Sequence, residues 1–197
     1  MMIEIRSKIN PILSLEFVLC APEDKMFDRK SYLVKVSDLA PIISGFANAS
    51  GGTIVIGINE KTKEIEGVDG LGTEKINDLI AAPKDCCRPM PQYVEEFLPV
   101  IDKNGSPNRL LLLHIDTSTD QVIRTANDST FLRIGDRTKE VKGEDLRNLE
   151  YSKSVRHFED ELSYDARIED LDKDLLNHYK SILDAEDITD EQLLKAR

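Results

Sequence analysis

The stretch from Ile43 to Glu60, ISGFANASGGTIVIGINE, constrains the fold of this chain more than any other part of it. Leu39, Ile42, Ile43, Phe46 and Ala47 recur with helical spacing, so one apolar stripe of a helix faces a core. Ser37 is a good cap for the start of that helix and Asp38 suits its first turn, where Pro41 does little harm. The run Asn48-Ala-Ser-Gly-Gly ends it, because Gly51 or Gly52 can take the positive φ of a helix C-terminus. TIVIGI follows as an unbroken apolar run rich in β-branched residues, which predicts a central strand.

Around this corner the pattern is mixed. Leu13 to Ala21, LSLEFVLCA, is enriched in strand formers and carries one charge, Glu16. APEDKMFDRKSY reads as a loop. NEKTKEIEG predicts a turn into a short return strand, and Thr73 is placed to cap a helix with Ile76, Leu79 and Ile80 inward. Pro83, Pro89 and Pro91 are expected to break the chain around Cys86 and Cys87. QYVEEFLPVI, RLLLLHIDTS and TFLRIGD are strand candidates, the first two joined by an Asn-Gly hairpin signal. GEDLRNLEYSKSV predicts a helix. Without a strict βαβ alternation the class is α+β, a mixed and mainly antiparallel sheet with packed helices, followed by a helical C-terminal tail.

In that tail Asp172 caps an apolar face of Leu175, Leu176, Tyr179, Ile182 and Leu183. Thr189 to Gln192 form a capping box that announces one more helix. A helix signalled so close to Arg197 suggests a chain cut from a longer protein. The expected division is a domain over residues 1–150 and an acidic helical tail or linker over 151–197.

Charge narrows the function. The chain of 197 residues has net charge −11, which argues against nonspecific affinity for nucleic acid by the whole surface. Thirteen acidic and seven basic residues lie between Tyr151 and Arg197, so the tail holds more than half of the net charge and a basic face on the first part remains open. No apolar run reaches the roughly 18 residues of a membrane span. The charged start MMIEIRSKINP lacks a secretory core. The expectation is a cytoplasmic protein with no membrane partner. Three cysteines, two adjacent, make no disulfide framework, and Cys86–Cys87 reads as packing. The three histidines are scattered and lack zinc spacing, and the tail carboxylates lack that of an EF-hand loop.

Glu16-Phe17, then GFANASGGTIVIGINE, then EIEGV, and finally FLRIGDRTKEV resemble in order the Schlafen Alba-2-like domain, over roughly Leu13 to Leu149. That family shows an E-F-K strand, an A-F-A-N-T-x-G-G helix, turn and strand, and a Y-x-R-x-G-x-x-T segment. The resemblance implies a mixed α/β fold and a nucleic-acid-binding or transcriptional-regulator module. The tail looks like the linker that follows this domain in longer bacterial regulators or ATPase-related proteins. In the nuclease branch, clustered carboxylates and Mg²⁺ or Mn²⁺ cut structured RNA, since hard cations prefer oxygen and stabilise charge on the phosphate. Glu16 takes the place of the motif glutamate, and Glu60 lies where a third carboxylate follows the Gly-Gly strand. Val18 stands for the motif lysine, and Pro11 for a glutamate five positions before the motif.

Glu16 and Glu60 are therefore the candidate catalytic and metal residues, with an ion pair or strand edge as the alternative for Glu16. Arg133, Arg137, Thr138 and Lys139 are the candidate phosphate contacts, or else they neutralise acidic surface. Asn48, Gly51 and Gly52 either present N–H groups to a phosphate or only turn the chain, and the turn is favoured. Expected partners are DNA or RNA, a second copy in a homo-oligomer, and a further C-terminal domain. No cofactor is expected beyond Mg²⁺ or Mn²⁺ in a ribonuclease. The leading function is nucleic-acid binding; a metal-dependent ribonuclease and an oligomerisation or docking module are the alternatives.

Overall fold

The computed structural model describes residues 14–153, 172–182 and 189. The chain forms two compact units, Met1–His157 and Phe158–Arg197. In the first, α1 (Leu15–Cys20), β1 (Phe27–Lys30), α2 (Val36–Asn48) and β2 (Gly52–Ile56) precede a 3-10 turn at Asp69–Leu71 and α3 (Thr73–Cys86). Then come β3 (Cys87–Arg88), β4 (Tyr93–Ile101), β5 (Pro107–Ile115), β6 (Arg124–Thr125), β7 (Thr130–Ile134), β8 (Arg137–Val141) and α4 (Gly143–Ser152). One sheet has the order β1-β2-β5-β4 and the other β3-β6-β7-β8. Only β1 with β2 is parallel; the remaining pairs are antiparallel. The α+β class and its mainly antiparallel sheets are as expected.

Both faces of the β2–β5 pair are covered, which is why TIVI and LLLL carry no alternation. Ile54, Ile56, Leu111, Leu113 and Ile115 pack with Leu39, Ile43, Phe46 and Ala47 of α2 and with Ile76, Leu79 and Ala82 of α3. Val55, Leu110 and Leu112 pack with Phe27 and with Val18 of α1. The hairpin between β4 and β5 turns at Gly105, whose φ of +82° suits the Asn-Gly signal.

Helix α2 serves the second sheet as well. The Asn48 amide donates to the carbonyls of Ile123 (2.7 Å) and Phe131 (2.9 Å) and accepts from Ile123 N–H (2.8 Å). Ser44 donates to the Ile123 carbonyl (2.8 Å) and accepts from Phe131 N–H (3.2 Å). A Cβ at Gly45 would stand 3.0 Å from the Thr138 methyl, so β7 and β8 come close to the helix there. The corner itself is closed by Gly51, at φ +75°, donating to the Phe46 carbonyl over 2.9 Å. At Gly52 a Cβ would lie 2.7 Å from the Met26 carbonyl and 2.8 Å from the Phe46 ring, so only glycine fits.

Four local expectations need correction. Leu13–Ala21 contains a helix, α1, where the Ser14 hydroxyl accepts from Phe17 N–H and Val18 turns into the core. Its apolar run is short enough to satisfy either period. The supposed loop APEDKMFDRKSY contains β1, a strand whose charges are matched by partners elsewhere in the chain. Pro83 lies inside α3, which continues to Cys86. The caps also differ: Lys35 and Gly72 hold the N-cap positions of α2 and α3, leaving Ser37 and Thr73 within the helices.

Cys20, Cys86 and Cys87 are free thiols. Burial is the chief cause that pushes the Cys87 thiol up to about 12, in keeping with a packing role. No described helix is long and apolar enough to cross a membrane. In the second unit α5 (Lys173–Ile182) is capped as expected, the Asp172 carboxylate accepting from the N–H groups of Asp174 (2.9 Å) and Leu175 (3.2 Å). The helix expected after Thr189 lies outside the described residues.

Replacing Asn48 by Ala leaves two buried carbonyls and one N–H without their amide partner, and should destabilise the first unit by about 2–4 kcal/mol. Urea unfolding reads this, and a change under about 1 kcal/mol would show that the clamp is dispensable.

Candidate functional site

The register of the β7–β8 hairpin pairs Arg133 with Thr138, Leu132 with Lys139, and Ile134 with Arg137. Alternation along a strand therefore puts Arg133 and Thr138 on one face and Arg137 with Lys139 on the other. The inner pair belongs to the protein interior. Arg133, with a side chain 3% exposed, donates to the carbonyls of Asp24 (3.0 Å) and Phe27 (3.3 Å), to the Thr138 hydroxyl (3.3 Å) and to Asp28 Oδ1 (3.2 Å). Its guanidinium also lies 5.1 Å from the Phe46 ring centroid. The outer pair faces solvent: the Arg137 side chain is 78% exposed, 3.9 Å from Asp136, and Lys139 is exposed beside it. Ile134, 52% exposed, completes the hairpin tip. The four residues expected together are thus divided, two holding the fold and two exposed to solvent.

A second group of charges forms where the parallel strands β1 and β2 end. Asp28 is buried; besides Arg133 it meets the Lys30 ammonium, 2.9 Å from Oδ2, although no hydrogen bond to Oδ2 is well aligned. Lys30 also lies 3.2 Å from Glu60 Oε1. Burial by itself would lower the Lys30 ammonium, but Asp28 and Glu60 outweigh it and hold the group above its ordinary value. Glu66 braces the same corner, accepting from Ser31 Oγ (2.7 Å) and from the Asn59 amide (3.1 Å). The carboxyl ends of parallel strands are where open α/β sheets commonly bind ligands.

On the opposite face of β1, Arg29 is equally buried and donates to the Val18 (2.7 Å) and Ala21 (2.6 Å) carbonyls, fixing the C-terminal end of α1. Desolvation there lowers its guanidinium from the usual arginine value.

Glu16 sits on the exposed side of α1, in its first turn. Glu60 is exposed and engaged with Lys30. Asn48, Gly51 and Gly52 are used in the helix clamp and corner already described. The histidines are apart: His114 bonds Thr53 (2.9 Å) and Glu96 (3.0 Å), His178 lies on α5, and His157 is outside the described residues. Among the described residues no three His, Cys, Asp or Glu side chains gather where a metal ion could sit. Asp28 and Glu60 share the Lys30 ammonium, and Glu23 faces Lys63 at 3.3 Å. In this arrangement the oxygens that Mg²⁺ or Mn²⁺ would need already face cations, so the residues do not fit such an ion.

The sequence matches the Schlafen, AlbA_2 family over residues 23–142. A crystal structure of a protein from Corynebacterium diphtheriae is similar at 19% identity and a TM-score of 0.47, over 86% of this chain and 32% of that one. The chain thus spans about a third of the length of that protein. The family match begins at residue 23, so Glu16-Phe17 lies outside the matched residues.

Arg133→Met leaves Asp28 buried with one cation fewer and should destabilise the unit by about 3–5 kcal/mol, while Arg137→Met should change stability by less than about 0.5 kcal/mol. In denaturant unfolding, the double variant with Asp28→Asn should fall well short of the sum of the singles. Additivity would mean that the two groups are independent.

Proposed function

The chain belongs to the Schlafen, AlbA_2 family, and from that premise we propose that it is a nucleic-acid-binding module that meets phosphates with the outer face of its β7–β8 hairpin. The observation that carries the reading is the placement of Arg137 and Lys139, side by side on that exposed face, away from the buried Arg133–Asp28 pair. Arginine forks and lysine ammonium groups both suit phosphate oxygens. The turn of Gly135 and Asp136 adds little bulk, since nothing lies within 4 Å of a Cβ placed on Gly135. With a net charge of −11 on the chain, contact depends on this local face and should be strongly salt-dependent.

In this reading the module serves regulation. Its contacts are to the backbone of DNA or RNA, and the hairpin offers no set of side chains for reading bases. Cleavage gains no support from the Asp28–Lys30–Glu60 arrangement, in which Lys30 lies between the carboxylates.

Fluorescence anisotropy with labelled duplex DNA and structured RNA tests the proposal. Arg137→Glu with Lys139→Glu should weaken binding at least tenfold at low salt and reduce the slope of log affinity against log salt by about 2. Lys103→Glu, on the distant β4–β5 turn, should stay within twofold. Equal affinity for the hairpin variant and the parent chain would overturn the assignment. A gel of the same samples with Mn²⁺ present should show intact nucleic acid; products that vanish in Glu60→Gln would instead establish the ribonuclease.

A further inference from the structure

An apolar cavity of about 260 Å³ opens between the β1–α2 connection and α3. Its walls are Tyr32, Val34, Leu71 and Leu79, and its charged lining consists of Lys35, Lys75 and Asp78. Tyr32, Val34 and Leu71 also pack against the main core, so the walls are set by the fold. Neither Lys35 nor Lys75 has an ion-pair partner among the described residues. With Asp78 counted, the lining keeps one net positive charge. The volume lies below the roughly 300–1,000 Å³ of drug-sized sites, a scale that suits one flat ring.

Resting on the nucleic-acid reading, we propose that this cavity takes a single unstacked nucleotide, its base against Tyr32 and the leucine walls and its phosphate between Lys35 and Lys75. Aromatic and apolar walls favour the face of a base, and a groove that holds bases on side chains while cations track the backbone is how single strands are bound. Charge decides against a neutral apolar occupant, because two unpaired ammonium groups on an apolar rim favour an anion. The cavity also adjoins the charged corner of β1. Tyr32 N–H points to Glu66 Oε2 over 3.4 Å, and the same carboxylate holds Ser31 and Asn59, so the cavity adjoins the corner where both parallel strands end. The inference extends the partner from a phosphate backbone to a strand with a base splayed out.

The probes are AMP and UMP, titrated into the full chain and followed by backbone amide shifts and calorimetry. At least one nucleotide should bind saturably, with the largest shifts at Tyr32, Leu71, Lys75 and Leu79. Adenosine or uridine, without the phosphate, and ribose 5-phosphate, without the base, should each bind at least tenfold more weakly. Lys75→Glu, on the exposed side of α3, should weaken nucleotide binding at least fivefold; Tyr32→Leu, which keeps the wall apolar, should do so without unfolding the chain. Ribose 5-phosphate as tight as AMP would reduce the site to its lysines and overturn the proposal. So would octanoate binding as tightly with the same shifts, or the absence of any saturable nucleotide binding. Failure here with polynucleotide binding intact at the hairpin overturns the cavity alone. Polynucleotide binding that fails while AMP is retained overturns the hairpin reading alone.

Discussion

Helix α2 has to satisfy two sheets at once, and much of the first unit follows from how it does so. Its apolar stripe packs on β2 and β5, where Ile43 and Phe46 meet Ile54, Leu111 and Leu113. Its other side is polar and small, with Ser44, Gly45 and Asn48 turned to the second sheet. A buried amide is costly unless all its partners are present, and Asn48 finds them in the backbone of Ile123 and Phe131. The helix then passes directly into β2 through two glycines, so its position on one sheet and its grip on the other cannot be adjusted separately.

The parts of this architecture visible in the sequence are those written in local periodicity. The stripe of α2, the Gly-Gly corner, the β4–β5 hairpin and the cap of α5 each depend on residues a few positions apart. Two elements near the start were misread because their logic is not local. LEFVLC is apolar in a way that fits helix or strand, and only the packing of Val18 and the capture of its end by Arg29 decide for the helix. FDRK looks like solvent-exposed loop, yet Asp28 and Arg29 are buried because their counter-charges and acceptors come from distant elements. The same cause split the candidate contact residues. Arg133 and Arg137 are indistinguishable in composition, and only the strand register separates a core ion pair from an exposed arginine beside Asp136. Glu16 lies before the residues that match the family, on the exposed side of α1.

The candidate contacts form two environments. The hairpin face offers cations to water with little around them. The corner at the ends of β1 and β2 keeps carboxylates and a lysine locked together, with the apolar cavity next to it. An acidic protein that engages a polyanion has to confine its attraction to such patches, because the remainder of its field is repulsive.

The pairing of Arg133 with Asp28 joins positions 105 residues apart. During synthesis the chain emerges from its N-terminal end, so β1 and α2 are made long before the arginine that neutralises their buried carboxylate. A nascent chain ending before β7 would have Asn48 without its Phe131 acceptor and Asp28 with Lys30 but not Arg133 as a counter-charge. Closure of the unit is therefore expected to wait for the hairpin, whose inner face completes the interior while its outer face stays in water.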